Sequence, residues 1–137
     1  MKLNEKIINI TEEIFELSEK YYEGYVIETD KQKIKIGISN VQNCCEDFGY
    51  FMTNDNIENF IGTDLFEIQI VDTALNNKKI EEIKNNTGYN NDSINIMFVN
   101  FETSNSTLQF TVYNAHNGYY GHNAVVVSEQ LNKQIEL

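Results

Sequence analysis

The run Leu3-Asn4-Glu5-Lys6-Ile7-Ile8-Asn9-Ile10-Thr11-Glu12-Glu13-Ile14-Phe15-Glu16-Leu17 decides how helical this chain is. Leu3, Ile7, Ile10, Ile14 and Leu17 recur at steps of four and three, which places them on one helical stripe with the glutamates mostly outside it. The stripe predicts an amphipathic opening helix. A short strand over Lys6 to Thr11 competes with it, because Ile8 and Ile10 also alternate with polar neighbours.

From Tyr21 onward the period changes to two. Tyr25 and Ile27, then Asp30-Lys31 as a turn, then Ile34, Ile36 and Ile38 predict a hairpin. Thr53-Asn54-Asp55 supplies caps for a short helix carrying Ile57, Phe60 and Ile61, which Gly62 is placed to end. Phe66, Ile68 and Ile70 alternate as a strand, and Asn76 to Lys84 reads as a further helix through Ile80 and Ile83. The polar stretch Asn85 to Ser93 reads as a loop. Ile94 to Thr103, Ser106 to Ala115 and Tyr119 to Val127 are β-rich and are separated by Ser104-Asn105 and Asn117-Gly118. The expected fold is α+β: one domain over residues 1–137, with a single antiparallel sheet, a C-terminal three-stranded meander and two or three helices.

The formal net charge is -11, and all ten cationic side chains are lysines. Without arginine the chain lacks the planar fork that grips phosphate or a base edge, so direct nucleic-acid binding is not expected. An acidic surface suits a basic protein partner, although solubility alone explains it as well. No apolar run reaches the ~20 residues of a membrane span, and the start lacks the uninterrupted apolar stretch of a secretory signal. A cytoplasmic protein with no membrane association is expected, and Cys44 and Cys45, adjacent and poorly placed to bond to each other, fit reduced thiols. Twenty asparagines and no proline suggest an AT-rich coding sequence.

The unusual chemistry falls in two segments, Gln42 to Tyr50 and Asn114 to Asn123, which hold both cysteines and both histidines. A two-residue turn at Asn117-Gly118 would pair His116 with Tyr119, Tyr113 with His122, Phe110 with Val125 and Leu108 with Val127. It would also put His116 and His122 on opposite faces. Histidines so placed cannot easily hold one ion, and no pair of residues has ligand spacing, so neither a metal nor another cofactor is expected. Cys44 or Cys45 with a histidine could make a nucleophile and base, but a buried structural thiol is the commoner fate, and no catalytic residue is assigned. The candidate ligand- or partner-binding residues are Cys44, Cys45, Glu46, Tyr50, Tyr113, His116, Asn117, Tyr119, Tyr120 and His122. The phenols and imidazoles among them offer flat apolar faces with polar tips.

Asn43-Cys44-Cys45-Glu46, Phe48-Gly49-Tyr50, Phe60-Ile61-Gly62, Asp72-Thr73-Ala74-Leu75 and His116-Asn117-Gly118-Tyr119-Tyr120-Gly121-His122 occur in that order between about Gln42 and Val127. In this ordered set the chain resembles an uncharacterised family of small proteins of bacteriophages and Firmicute genomes, marked by a Cys-Cys-Glu segment and a C-terminal Asn-Gly-Tyr-Tyr hairpin. The resemblance brings no activity with it. Its phage distribution implies an accessory protein in the host cytoplasm that acts by binding, inhibiting a host-defence component. The alternative is a binder that sequesters a nucleotide-like small molecule between the two marked segments. Whether several copies assemble stays open.

Overall fold

A computed structural model describes residues 2–40, 46–54, 56–86, 94–116, 123–129 and 131–137, with positions 46, 47, 84, 86, 115 and 116 described in backbone only. Its elements are β1 (Lys2–Leu17), β2 (Lys20–Thr29), β3 (Lys33–Ser39), β4 (Glu46–Met52), a 3-10 turn (Ile57–Phe60), β5 (Asp64–Val71), α1 (Asn77–Asn86), β6 (Ile94–Thr103), β7 (Thr107–His116), β8 (Asn123–Val127) and β9 (Asn132–Glu136). The strands form one antiparallel sheet in the order β4-β7-β6-β5-β1-β2-β3-β8-β9.

The expected α+β class is therefore corrected: the fold is nearly all β, and among the described residues α1 is the one α-helix. The opening segment is a strand of 16 residues. Its helix-like spacing has a physical origin. β1 carries a bulge between Ile7 and Asn9, where an extra residue enters the ladder with β2. An odd step of three across a bulge keeps Ile7 and Ile10 on one face, and the step of four to Ile14 is two ordinary strand periods. The strand thus imitates a helical stripe. Leu17, the last member of that stripe, lies on the other face beside Phe15.

Most of the remaining expectations on secondary structure hold. The β2–β3 hairpin turns at Asp30-Lys31, β5 contains Phe66 to Ile70, α1 begins near Asn76, and β6 and β7 pair across Ser104-Asn105. The C-terminal meander does not hold. β7 pairs with β6 and β4, whereas Val125 pairs with Gly37 and Gln134, and Val127 with Lys35 and Asn132. The chain crosses from one half of the sheet to the other between β7 and β8, so Phe110 never faces Val125 as a ladder partner.

The nine strands cannot lie flat. Four strand spacings separate β2 from β7 in the sheet order, about 19 Å at ~4.8 Å each. Yet the rings of Tyr25 on β2 and Phe110 on β7 meet with centroids 5.8 Å apart. The sheet folds over β1, which pairs with β5 near its start and with β2 along the rest. Ile27, Ile34, Ile36 and Ile38 of one half then pack on Leu65, Val99, Phe101, Leu108, Phe110 and Val112 of the other, and all of them are fully buried. Asn114 on β7 donates from Nδ2 to the backbone oxygen of Leu137, just past β9, closing the far side at 3.2 Å.

A second, smaller cluster lies on the outer face of the β1–β2–β3 half, where Phe15 stacks on Tyr22 beside Val26 and Val125. Gly24 and Gly37 face each other directly in the ladder. A Cβ on Gly24 would sit 2.0 Å from the Ile36 carbonyl oxygen, and one on Gly37 would sit 3.1 Å from Cζ of Phe15. The glycine pair gives Phe15 the space to lie across the strands. At the opposite end, the buried Glu5 carboxylate accepts from Thr29 Oγ1 at 2.7 Å and from Gln32 Nε2 at 2.8 and 3.0 Å. Gln32 Oε1 in turn accepts from the Glu129 backbone N–H at 2.7 Å, tying β1 to two turns. These neutral donors replace the water that a buried carboxylate loses.

Candidate functional site

The strands that flank the two marked segments converge. Glu46 pairs with His116, Gly49 with Tyr113 and Tyr50 with Val112 along β4 and β7, and Ile38 pairs with Ala124. The segments meet through this ladder rather than through a β7–β8 hairpin. Cys44, Cys45, Asn117, Tyr119, Tyr120 and His122 lie outside the described residues, and at Glu46 and His116 the description stops at the backbone. Tyr50 and Tyr113 are the sequence-predicted residues whose side chains are placed.

Tyr113 lies over Gly49. A Cβ at position 49 would stand 2.5 Å from the Tyr113 hydroxyl oxygen and 2.8 Å from Cζ. The ring covers the gap in the pleat left by the glycine, as aromatic residues do across a strand pair.

Tyr50 points to the inner face, where its ring stacks on Phe110 at 6.0 Å and meets Tyr25 edge-on at 5.8 Å. Its hydroxyl donates to the Glu12 carboxylate, so a residue near the open end of β1 holds a residue of the facing half. Burial raises the Tyr50 phenol well above its ordinary pKa, and the Glu12 hydrogen bond and the charges of Glu12 and Glu23 add to the rise. Tyr25 moves the same way, first through burial and then through the charge of Glu12. Both phenols therefore stay protonated through neutral pH, acting as hydrogen-bond donors and not as bases.

Beyond this aromatic seam the β1–β2 hairpin projects past the facing half of the sheet. The ladder pairs Glu12 with Tyr25, Ile14 with Glu23 and Glu16 with Tyr21, so all six share the inner face. Here that face is uncovered: Ile14 is 62% exposed and Tyr21 53%. Glu12 and Glu16 on that face, and Glu19 in the turn, are exposed as well. The hairpin thus presents an apolar pair inside a ring of carboxylates. Sequence reading missed it because the same glutamates looked like the solvent face of a helix, and because the turn residues Ser18 and Glu19 carry no turn signature. Both nevertheless adopt positive φ, 51° and 68°.

Two clefts bounded by described residues are small and open. One, of about 170 Å³, lies between Leu17, Tyr22, Val125 and Gln134; the other, of about 160 Å³, between Asn9, Glu13, Val26 and Lys33. Among the described residues no three His, Cys, Asp or Glu side chains stand together as a metal site requires, and no helix is long and apolar enough to cross a membrane.

A family model described as a domain of unknown function, DUF7448, matches residues 2–126, and the chain belongs to that family. No curated protein and no solved structure matches it.

Proposed function

We propose that this domain works by binding a basic protein and not by transforming a substrate. In the setting suggested by the resemblance to phage proteins, it would be a phage or prophage accessory protein that blocks a component of host defence. The observation that carries this reading is the β1–β2 hairpin, where exposed Ile14 and Tyr21 sit among Glu12, Glu16, Glu19 and Glu23. An apolar centre with a charged rim is the usual anatomy of a protein interface, and a rim of one sign selects a partner of the other. The net charge of -11 favours the same kind of partner over longer range. The alternative reading is a nucleotide-like ligand held between the two marked segments, whose cysteines and C-terminal tyrosines lie outside the described residues.

The test is affinity capture from host lysate at two salt concentrations, with mass spectrometry both of captured proteins and of small molecules released on denaturation. A basic protein retained at low salt, and bound about tenfold more weakly by the Ile14→Ala, Tyr21→Ala double variant, supports the proposal. Stoichiometric release of a nucleotide, with no protein captured, overturns it in favour of the small-molecule reading.

A further inference from the structure

β1 is paired on both sides only at its start. Its outer side carries β5 from Lys2 to Lys6, and the last bonds there run from the Ile7 N–H to the Thr63 carbonyl and from the Gly62 N–H to the Ile7 carbonyl. Gly62, with φ 88°, then turns the chain away, and beyond Ile7 no described strand takes the place of β5. The ladder shows which groups this exposes. Asn40 N–H donates to the Tyr21 carbonyl and Thr29 N–H to the Gln32 carbonyl, so the odd-numbered residues of β2 bond toward β3 and the even ones toward β1. Through the register, Thr11, Glu13, Phe15 and Leu17 bond toward β2, and the backbone groups of Glu12, Ile14 and Glu16 point outward from the sheet. The Ile10 N–H is already taken by the Asn9 side chain at 3.0 Å, which fixes the start of the open edge.

Resting on the proposal that the partner is a basic protein, we infer that this edge receives an extended strand of that partner, pairing antiparallel with Glu12 to Glu16 in the lane that β5 leaves. Antiparallel addition places three alternate partner residues opposite Glu12, Ile14 and Glu16 and on the same face as them. The matching segment therefore reads basic-x-apolar-x-basic. Carboxylates on an edge ordinarily discourage pairing, and here they discriminate. A second copy of this chain, paired antiparallel about Ile14, would set Glu12 against Glu16 twice and bring like charges face to face. A neutral strand would leave both carboxylates unmatched, whereas a strand with lysine or arginine at those two positions neutralises them and covers Ile14.

The probe is the synthetic peptide Thr-Lys-Thr-Val-Thr-Lys-Thr, in its plain form and in two N-methylated forms. Methyl groups on its Lys, Val and Lys nitrogens block the bonds toward β1; methyl groups on the three inner and last Thr nitrogens point away from it. Hydrogen exchange by NMR on the intact protein should show fast amides at Glu12, Ile14 and Glu16 beside slow ones at Thr11, Glu13 and Phe15. The plain and Thr-methylated peptides should then slow the fast set at least tenfold, while the Lys/Val-methylated peptide binds at least tenfold more weakly. Ile14→Pro, which removes an outward N–H and leaves the β1–β2 bonds in place, should lose the peptide with its other amides unchanged.

Slow exchange at all three amides in the free protein overturns the inference, as does equal binding of the two methylated peptides, absence of saturable binding, or self-association through this edge in sedimentation. Should a basic protein be captured from lysate equally well by Ile14→Pro, the edge fails and the basic-partner proposal stands. Should the peptide protect the edge while no basic protein is captured, the edge stands and that proposal fails.

Discussion

Tyr50 shows how a single residue can be legible in type and illegible in role. Its position among glycine, cysteine and acidic neighbours marks it as unusual, but nothing in the sequence joins it to Glu12, 38 positions earlier. That link exists only because the sheet folds over β1. It has a measurable consequence at high pH. Both Tyr50 and Tyr25 have folded pKa values raised above the ordinary 10.0, so the unfolded chain loses these protons first and stability falls as pH rises past 10. Below that, their contribution is fully present. Tyr50→Phe should lower stability near neutrality by about 1 kcal/mol, the worth of a half-exposed bond to a carboxylate, and should flatten the decline above pH 10. Urea unfolding at pH 8 and pH 11 reads both effects, and an equally steep alkaline decline in the variant would refute the assignment. Ser18 and Glu19 supply a second test of the same kind. At positive φ both pay a strain that Asn-Gly would not, so Glu19→Gly should raise stability by about 1 kcal/mol, seen as a higher denaturation midpoint with an unchanged slope.

Elements whose pattern is local were readable, and those whose partner is distant were not. The β2–β3 and β6–β7 hairpins follow from turn residues between alternating runs, and α1 from Ile80 and Ile83 between polar flanks. β1 was hidden by its bulge, since one extra residue between Ile7 and Ile10 converts a strand period into a helical one. β7 and β8 were misjoined because a short polar link reads as a hairpin whether or not the strands it connects are neighbours. Of the candidate site, the sequence marked the strands that meet, β4 and β7, but the acidic hairpin stayed invisible until its two strands were paired. The glycines test the packing at this scale. Gly24→Ala drives a Cβ to 2.0 Å from backbone, which cannot yield, whereas Gly49→Ala meets the Tyr113 ring, a side chain that can swing. The first should cost more than ~2 kcal/mol and detach β2 from β3; the second should cost less and be rescued by Tyr113→Ser. Thermal melts of the four proteins check this, and similar losses at both glycines, or no rescue by Tyr113→Ser, would show that the contacts are misjudged.

At the scale of the whole molecule, two opposing demands meet in one surface. Burial across the fold of the sheet holds the halves together, while a net charge of -11 on 137 residues pushes the surface outward. The repulsion is long-ranged at low salt, and ions at ~0.15 M cut its reach to about 8 Å. Raising sodium chloride from about 10 mM to 0.5 M should therefore raise the melting temperature, because screening relieves the folded state more than the expanded one. Attraction to a basic partner is screened by the same ions, so its binding should weaken over the same titration. The two curves must run in opposite directions. A melting temperature that falls with salt would mean that ion pairs, and not the apolar seam through Tyr25, Tyr50 and Phe110, dominate the fold. Binding that is indifferent to salt would mean that the glutamates of the hairpin are not what selects the partner.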